Sequence, residues 1–354
     1  MTVTARISSL TALFAIFKID ALLLCDDASI FYLTGYPAHE SWLLVTTQTA
    51  HFITDSRYYL EAQEGLKATG IEVIDSGVLP VALTLSLAKR WKIRALGLDE
   101  RRVNAALVRR LRTDKPASLS LKAADGIVDG LRMVKDVFEL DKIKAAIKIN
   151  LQLYKYLSAR IRDSRREIDY LQDLEGFVRR KKVAFSFPPI IASGPNAAMP
   201  HARVTGRKLS TGEALLVDVG VEKDGYKSDL TRMFFLGKMS LRFRQVFSHV
   251  QEAQLKAIAR IKPGVAAKDI DSAARLYLKE KSLDQYFGHS LGHGVGIDVH
   301  EMPSISQRSN IILKEGMVFT VEPGVYIPGQ FGVRLEEMVL VTKTGCEVLS
   351  VDRN

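Results

Sequence analysis

Apolar and polar positions follow two different periods along the chain, and where the balance shifts the chain divides. Up to about residue 125, short apolar runs alternate with helical stretches. Ala21–Leu24 reads as a strand ended by Cys25, Asp26 and Asp27. Residues 42–47 and 51–54 read as paired strands around polar Gln48 and Thr49, and 71–74 and 95–98 as further strands. Helical spacing begins at Asp55 and runs through Tyr59 and Ala62 until Gly65 weakens it. Asn104 is placed to cap a helix over 105–112. After a boundary near 125–132 the helical period dominates. Residues 136–162 carry Val137, Leu140, Ile143, Ile147, Leu151 and Tyr154 on one stripe, and a second helix covers 167–181. Beyond Phe187, Gly, Pro and short β-rich runs become dense, interrupted by helices near 241–261 and 267–281. The pattern predicts an α+β chain: an N-terminal α/β domain over 1–128, a linking helix, and a larger α+β domain over 129–354.

Composition narrows this only slightly. A chain of 354 residues with 47% hydrophobic and 25% charged content has room for two domains and buries its cores without staples. Cys25 and Cys346 are the only cysteines, and two free thiols suit a reducing compartment. The apolar stretch at 10–17 is cut by Lys18 and Asp20 and does not read as an export signal. No run has the length of a membrane span, so a cytoplasmic protein that does not engage the membrane is expected. The net charge of +10 is scattered. Its densest runs, at 109–112 and 179–182, lie in helical context and read as solvated faces, so nucleic acid is not an expected partner.

The chemistry gathers in the last third. Between Leu215 and Arg232 two apolar runs flank Asp224-Gly225, a strong hairpin signal. A two-residue turn there sets Lys223 opposite Tyr226 and Asp229 opposite Gly220. Asp218 and Asp229 then project to one side as diagonal neighbours, roughly 7–8 Å apart at the backbone, whereas a four-residue turn centred one step earlier would set them directly opposite, still on one face. The plainer reading, that one Asp points to solvent as a strand-end or turn residue, is the weaker one for Asp218, flanked by Val217 and Val219. Two converging from the core side must share a proton or bind cations. His201, His289, His293 and His300 follow, the last three within a glycine-rich run, 288–301, that excludes a stable helix and implies strand or loop with close backbone approach. A helical zinc motif at His300-Glu301 is rejected, because Pro303 follows and no second His stands four residues on. His39, His51 and His249 lack such a setting and read as structural. Glu322 ends an apolar strand. Around Glu336, alternation puts Arg334, Glu336 and Met338 on one face and Leu335, Glu337 and Val339 on the other, without saying which glutamate faces inward. Asp218, Asp229, Glu322 and Glu336 bring four negative charges, which two divalent ions would neutralise. A carboxylate and imidazole set without thiolate suits manganese, cobalt or zinc at a hydrolytic site.

At these residues the chain resembles the pita-bread-fold metallopeptidases, which include methionine aminopeptidase, aminopeptidase P and prolidase. The hairpin 218–232, the run 288–301, the segment 320–323 and the segment 332–336 agree in order and spacing. The stretches 31–36 and 54–58 look like the creatinase-type N-terminal domain, which favours the proline-directed branch. The resemblance implies a catalytic domain of curved antiparallel sheet flanked by helices. It implies two metals held by Asp218, Asp229, His293, Glu322 and Glu336, with Asp229 and Glu336 bridging and Glu336 therefore facing in. It further implies proton shuttling by Glu322, contact of His201 and His300 with substrate or the tetrahedral intermediate, a place for His289 lining the same catalytic site, and an organising role for Arg334. The expected substrates are short peptides with proline at the second position, and the expected assembly is a homodimer. Met233 stands where the family often has Thr. Ser304 stands where some prolidases carry an arginine for the substrate carboxylate, which leaves dipeptidase and aminopeptidase P activity both open. A catalytically silent peptide- or nucleic-acid-binding platform is the alternative, and its mark would be lost ligands. Creatine-type amidine hydrolysis, which works without metals, conflicts with the intact set.

Overall fold

The computed structural model describes residues 1–77 and 79–351. Val78 and residues 352–354, which the expected domain limits include, lie outside the described residues. The chain divides into two compact units, Met1–Arg132 and Met133–Asn354.

The first unit is built on a six-stranded mixed sheet. Its spatial order is Glu72–Asp75, Ala50–Thr54, Trp42–Thr46, Ala21–Leu24, Ala95–Leu98 and Ser120–Ala123. The hairpin between 42 and 54 is antiparallel, as is its junction with Ala21–Leu24, and the outer pairings are parallel. The central strands are near-continuous apolar runs because both faces are covered. One expected helix starts late: Asp55 opens a turn, accepting from the backbone N–H of Tyr58 and Tyr59, and the helix proper is Tyr59–Leu66. Gly65 does not end it. A Cβ there would stand 2.4 Å from the Tyr36 ring, so the position needs its bare backbone for packing. Asn104 caps the expected helix, Ala105–Asp114, and Val3–Thr11, Phe14–Phe17, Asp27–Thr34, Pro80–Arg90 and Ile127–Arg132 are helices that the sequence period did not mark.

The second unit opens with helix Val137–Ser158, fixed at its start by a capping box between Asp136 and Glu139. Helices Glu167–Lys181, Leu241–Ile258 and Ala267–Glu280 follow, against antiparallel sheets. One sheet orders Leu230–Phe235, Ala214–Val219 and Ile190–Ser193. Another orders Glu301–Ile305, Gly292–Gly294, Val318–Val321, Glu337–Val341 and Cys346–Val348. The apolar faces of the 241–258 and 267–280 helices meet the second sheet in one core that includes Val250, Ile270, Phe319 and Val339.

The stripe read on the helix over 137–158 holds in part: Ile143, Ile147 and Tyr154 are buried, Leu140 and Leu151 are half-buried, and Val137 is exposed. The buried face also carries Glu139, Ala146, Asn150, Leu153 and Leu157. Its polar members meet polar groups of the hairpin. Asn150 Nδ2 donates to the Val219 carbonyl (2.8 Å) and to Ser228 Oγ (3.2 Å). Tyr154 donates its hydroxyl toward the Val217 carbonyl (3.1 Å), and the Tyr226 hydroxyl reaches Glu139 Oε1 (3.1 Å). The helix thus grips the hairpin around residue 220 by hydrogen bonds as well as by packing.

Candidate active site

The 215–232 hairpin forms in the expected register. Asp224 (φ 52°) and Gly225 (φ 77°) both take left-handed backbone, the geometry a two-residue turn requires. Lys223 pairs with Tyr226, and farther along Val219 pairs with Leu230 and Asp218 with Thr231. The ladder opens between these pairs at Gly220, where a Cβ would lie 2.1 Å from the Ser228 carbonyl oxygen. Asp218 and Asp229 therefore leave the hairpin on one side, two residues out of step.

Three other segments bring the remaining ligand candidates. His293 sits on strand Gly292–Gly294, held against Val318–Val321 so closely that a Cβ on Gly292 would meet the Thr320 carbonyl oxygen at 1.9 Å. The backbone N–H of His293 donates to Thr320 Oγ1 (3.1 Å), and that hydroxyl donates to Glu322 Oε1 (3.1 Å). The Nδ1 of His293 lies 3.1 Å from the Gly294 carbonyl, which only accepts, so Nδ1 carries a proton and Nε2 turns into the site. Nε2 stands 3.2 Å from Glu322 Oε1 and 3.6 Å from Asp229 Oδ2. Glu336 falls in the gap between strands Phe331–Arg334 and Glu337–Val341. It is 2% exposed and accepts from Thr231 Oγ1 (2.8 Å), while Glu337 turns to Arg232 (3.0 Å). One donor atom each from Asp229, His293 and Glu336 lies within 4.8 Å of the others.

The electrostatics call for cations. Burial pushes Asp229 and Glu336 well above the ordinary carboxylate range, and neighbouring carboxylates push them further. Burial also raises Asp218, less far because Arg334 opposes it. Burial would raise Glu322 too, but the hydrogen bond and charge of His293 outweigh it and hold the carboxyl at about 2. The same bond raises His293 against its own burial. Arg334 is the cation built into this wall. Its guanidinium donates to Asp218 Oδ2 (2.5 Å), Thr231 Oγ1 (3.0 Å), Tyr326 Oη (2.8 Å) and the Pro200 carbonyl (3.0 Å). The other oxygen of Asp218, Oδ1, is buried and meets no donor. One arginine and one histidine do not balance four buried carboxylates, and a bare carboxylate oxygen among them is a ligand position. The donor set and its charge fit divalent cations.

Asp218, Asp229, His293, Glu322, Arg334 and Glu336 line one cavity of about 720 Å³. His201, His289 and His300 line it as well. The His300 ring lies 4.2 Å from that of His293, and His289 Nε2 lies 3.0 Å from the Tyr326 hydroxyl. Burial lowers both His289 and His300, keeping their imidazoles neutral. Leu171, Phe187, Pro188, Pro189 and Ile190 supply an apolar stretch of wall. His39, His51 and His249 are elsewhere: His39 stacks on Tyr58, His51 contacts Glu72 (3.0 Å), and His249 bonds Tyr277 (3.1 Å).

Sequence reading missed the supports. Tyr326 joins His289 to Arg334. Arg275, paired with buried Asp271, donates to the His289 carbonyl (2.9 Å), while Asp271 accepts from Leu291 N (3.1 Å). Gln254 donates to the carbonyls of Val321 and Leu335, both at 2.9 Å, the residues just before Glu322 and Glu336. Its signal was present: a glutamine beside Ala253 and three residues before Ala257, on an otherwise apolar helix face.

Residues 141–343 match the family described as metallopeptidase family M24, and residues 6–134 match the creatinase/prolidase N-terminal domain. The chain is 31% identical over 348 residues to the uncharacterized peptidase YqhT of Bacillus subtilis, covering 96% of each. It is 32% identical over 345 residues to the Xaa-Pro dipeptidase of Pyrococcus horikoshii, covering 94% of this chain and 93% of that one. Among solved structures it is similar to an Xaa-Pro dipeptidase from Bacillus anthracis (TM-score 0.94, 31% identity, 100% and 99% of the two chains). It is also similar to an X-Pro aminopeptidase from Thermotoga maritima (TM-score 0.86, 35% identity, 95% and 97%).

Proposed function

The chain belongs to metallopeptidase family M24, and from that premise we propose that it hydrolyses the Xaa-Pro bond of short peptides, releasing the N-terminal residue. Asp218, Asp229, His293, Glu322 and Glu336 would hold two divalent cations within a catalytic domain spanning 129–354. The observation that carries this reading is the bare, buried Oδ1 of Asp218 in a wall of four carboxylates, sharing its cavity with an apolar stretch that suits a pyrrolidine ring.

When bound, the cations would neutralise the acids, polarise the scissile carbonyl and acidify a water. The protein's own groups do the rest. Glu322, ionised at neutral pH, takes a proton from the attacking water and returns it to the departing prolyl nitrogen, which must leave as an amine. Neutral His300, with His201, donates to oxygen as charge grows on it, while His289 lines the cavity with its Nδ1 proton held by the Ser290 carbonyl (2.8 Å). Arg334 fixes Asp218 and the hairpin beneath it. The donor set favours manganese as the native ion, with cobalt or zinc as substitutes. Two free thiols support a cytoplasmic location, and no helix among the described residues is long and apolar enough to cross a membrane. The creatinase-type first unit supports a homodimer. A silent binding platform would have shed ligands, and all five are present in one cavity.

The test is a panel on purified, manganese-loaded protein: an Xaa-Pro dipeptide, an Xaa-Pro tripeptide and Met-Ala-Ser. Cleavage of Met-Ala-Ser alone overturns the proline assignment, and turnover of none of them overturns the peptidase reading.

A further inference from the structure

We propose that Arg203 selects substrates that end at proline, by pairing its guanidinium with the free C-terminal carboxylate of an Xaa-Pro dipeptide. This deepens the Xaa-Pro reading and rests on it. Two divalent cations would be spent on neutralising Asp218, Asp229, Glu322 and Glu336, so a substrate carboxylate entering this cavity finds no surplus positive charge there and needs a cation of its own. Two arginines line that cavity. Arg334 is 3% exposed, and its guanidinium is already bonded to Asp218, Thr231, Tyr326 and Pro200. Arg203 is exposed at the cavity and, among the described residues, has no hydrogen bond or ion pair. Ser304, also on the lining, brings no charge, and its hydroxyl donates to Ser306 (3.1 Å).

The backbone that carries Arg203 is fixed on both sides. Before it, the Pro200 carbonyl accepts from Arg334 (3.0 Å), and Ala202 is buried among Ala192, Ala197 and Leu216. After it, Thr205 donates through N (3.0 Å) and Oγ1 (2.6 Å) to buried Glu167. The segment is therefore tied to the acidic wall through Arg334 and to the protein interior through Glu167. What stays free is the side chain, an unpaired planar fork suited to a carboxylate. Each residue added beyond proline carries the terminal charge about 3.3–3.6 Å farther along the extended chain. A guanidinium on a pinned backbone that meets a dipeptide's carboxylate would lose it in longer peptides.

The experiment compares an Xaa-Pro dipeptide, its C-terminal amide and an Xaa-Pro tripeptide on the manganese-loaded protein, as wild type, Arg203→Gln and Arg203→Lys. The wild type is expected to show a lower KM for the dipeptide than for the amide or the tripeptide. In Arg203→Gln that KM advantage should shrink about tenfold or more, the usual scale for losing a charged hydrogen bond, while kcat for the dipeptide holds. Arg203→Lys should retain part of it. If the dipeptide-to-amide KM ratio is the same in wild type and Arg203→Gln, or if the wild type takes the amide as readily as the dipeptide, the role of Arg203 is wrong and the Xaa-Pro reading stands. If the wild type cleaves none of the three, the Xaa-Pro reading and the selector fall together.

Discussion

Arg334 holds only one oxygen of Asp218: its Nη2 stands 2.5 Å from Oδ2, while Oδ1 is buried and meets no donor. The arginine thus orients the carboxylate and leaves its second oxygen to a metal ion. Removing one partner of a buried pair typically costs about 3–5 kcal/mol, because the other charge stays buried alone. Arg334→Met should destabilise the protein on that scale and weaken manganese binding, as Asp218 protonates. Arg334→Lys keeps a charge but loses the fork to Thr231 and Tyr326, and kcat should fall at least about tenfold. Urea unfolding with calorimetric metal titration measures both. Unfolding within about 1 kcal/mol of wild type for Arg334→Met would rule the pair out as an organiser.

Asp229→Asn should abolish turnover and cut metal content while sparing the fold. Its raised carboxyl also predicts how the metal-stripped protein responds to pH. A carboxyl whose folded pKa lies above its unfolded one stabilises the fold below the unfolded value, and that contribution is lost as pH rises through the folded value. Asp229 and Glu336 behave in this way. Glu322 has the opposite sign: its contribution is present above the ordinary glutamate range and is lost as pH falls through about 2. Stripped of metal, the protein should therefore lose melting temperature as pH climbs above the ordinary carboxylate range. Manganese should restore it, and Asp229→Asn should flatten the slope. A stripped wild type whose melting temperature does not fall with rising pH contradicts the crowding argument.

Gln254 ties together the ends of two strands that lie in different sheets. Strand Val318–Val321 ends at Val321 and strand Phe331–Arg334 ends just before Leu335, and the two Gln254 bonds go to those carbonyls. Gln254→Met fills the same volume without donating. It should lower manganese affinity and kcat by about tenfold, for a stability cost of about 1–3 kcal/mol. An unchanged metal affinity in a variant of lower melting temperature would mean that Gln254 supports the fold alone.

Much of this was legible because local chemistry and global structure agree. The hairpin was readable because Asp224-Gly225 permits little but a two-residue turn, and that turn fixes which aspartates share a side. The glycine-rich run was readable as close approach because nothing larger fits at Gly292. The choice between Glu336 and Glu337 was not legible from alternation, which names two faces without saying which is the core; the family resemblance pointed to Glu336, and Glu336 is the buried one. The stripe at 137–154 was right at Ile143, Ile147 and Tyr154 but wrong at its start for a related reason. The buried face meets the Val219 carbonyl and the Tyr226 hydroxyl, so polar Asn150 and Glu139 belong inside and apolar Val137 does not. Tyr326 and Arg275 act through contacts 8 and 14 residues distant in sequence, with no local pattern to mark them.

Two glycines four residues apart give the sharpest test of how the histidine is placed. A Cβ on Gly288 would meet nothing within 4 Å, whereas one on Gly292 would sit 1.9 Å from the Thr320 carbonyl oxygen. Backbone on both sides leaves Gly292 little room to yield, since its strand pairs with Ile305 on one edge and, through Gly294, with Phe319 on the other. Relief must come from parting the Gly292–Gly294 and Val318–Val321 strands. That motion stretches the bond from His293 N to Thr320 Oγ1 and carries His293 away from Glu322. Gly292→Ala should thus lose about 1–3 kcal/mol of stability, the usual cost of overpacking, and a larger share of its manganese affinity. Gly288→Ala should match wild type in both. The pair separates a steric effect at the metal ligand from a general loss of loop freedom, because only the former depends on which glycine is replaced. Equal manganese affinity in the two variants, measured by calorimetry well below their melting temperatures, would show that His293 does not depend on this close approach.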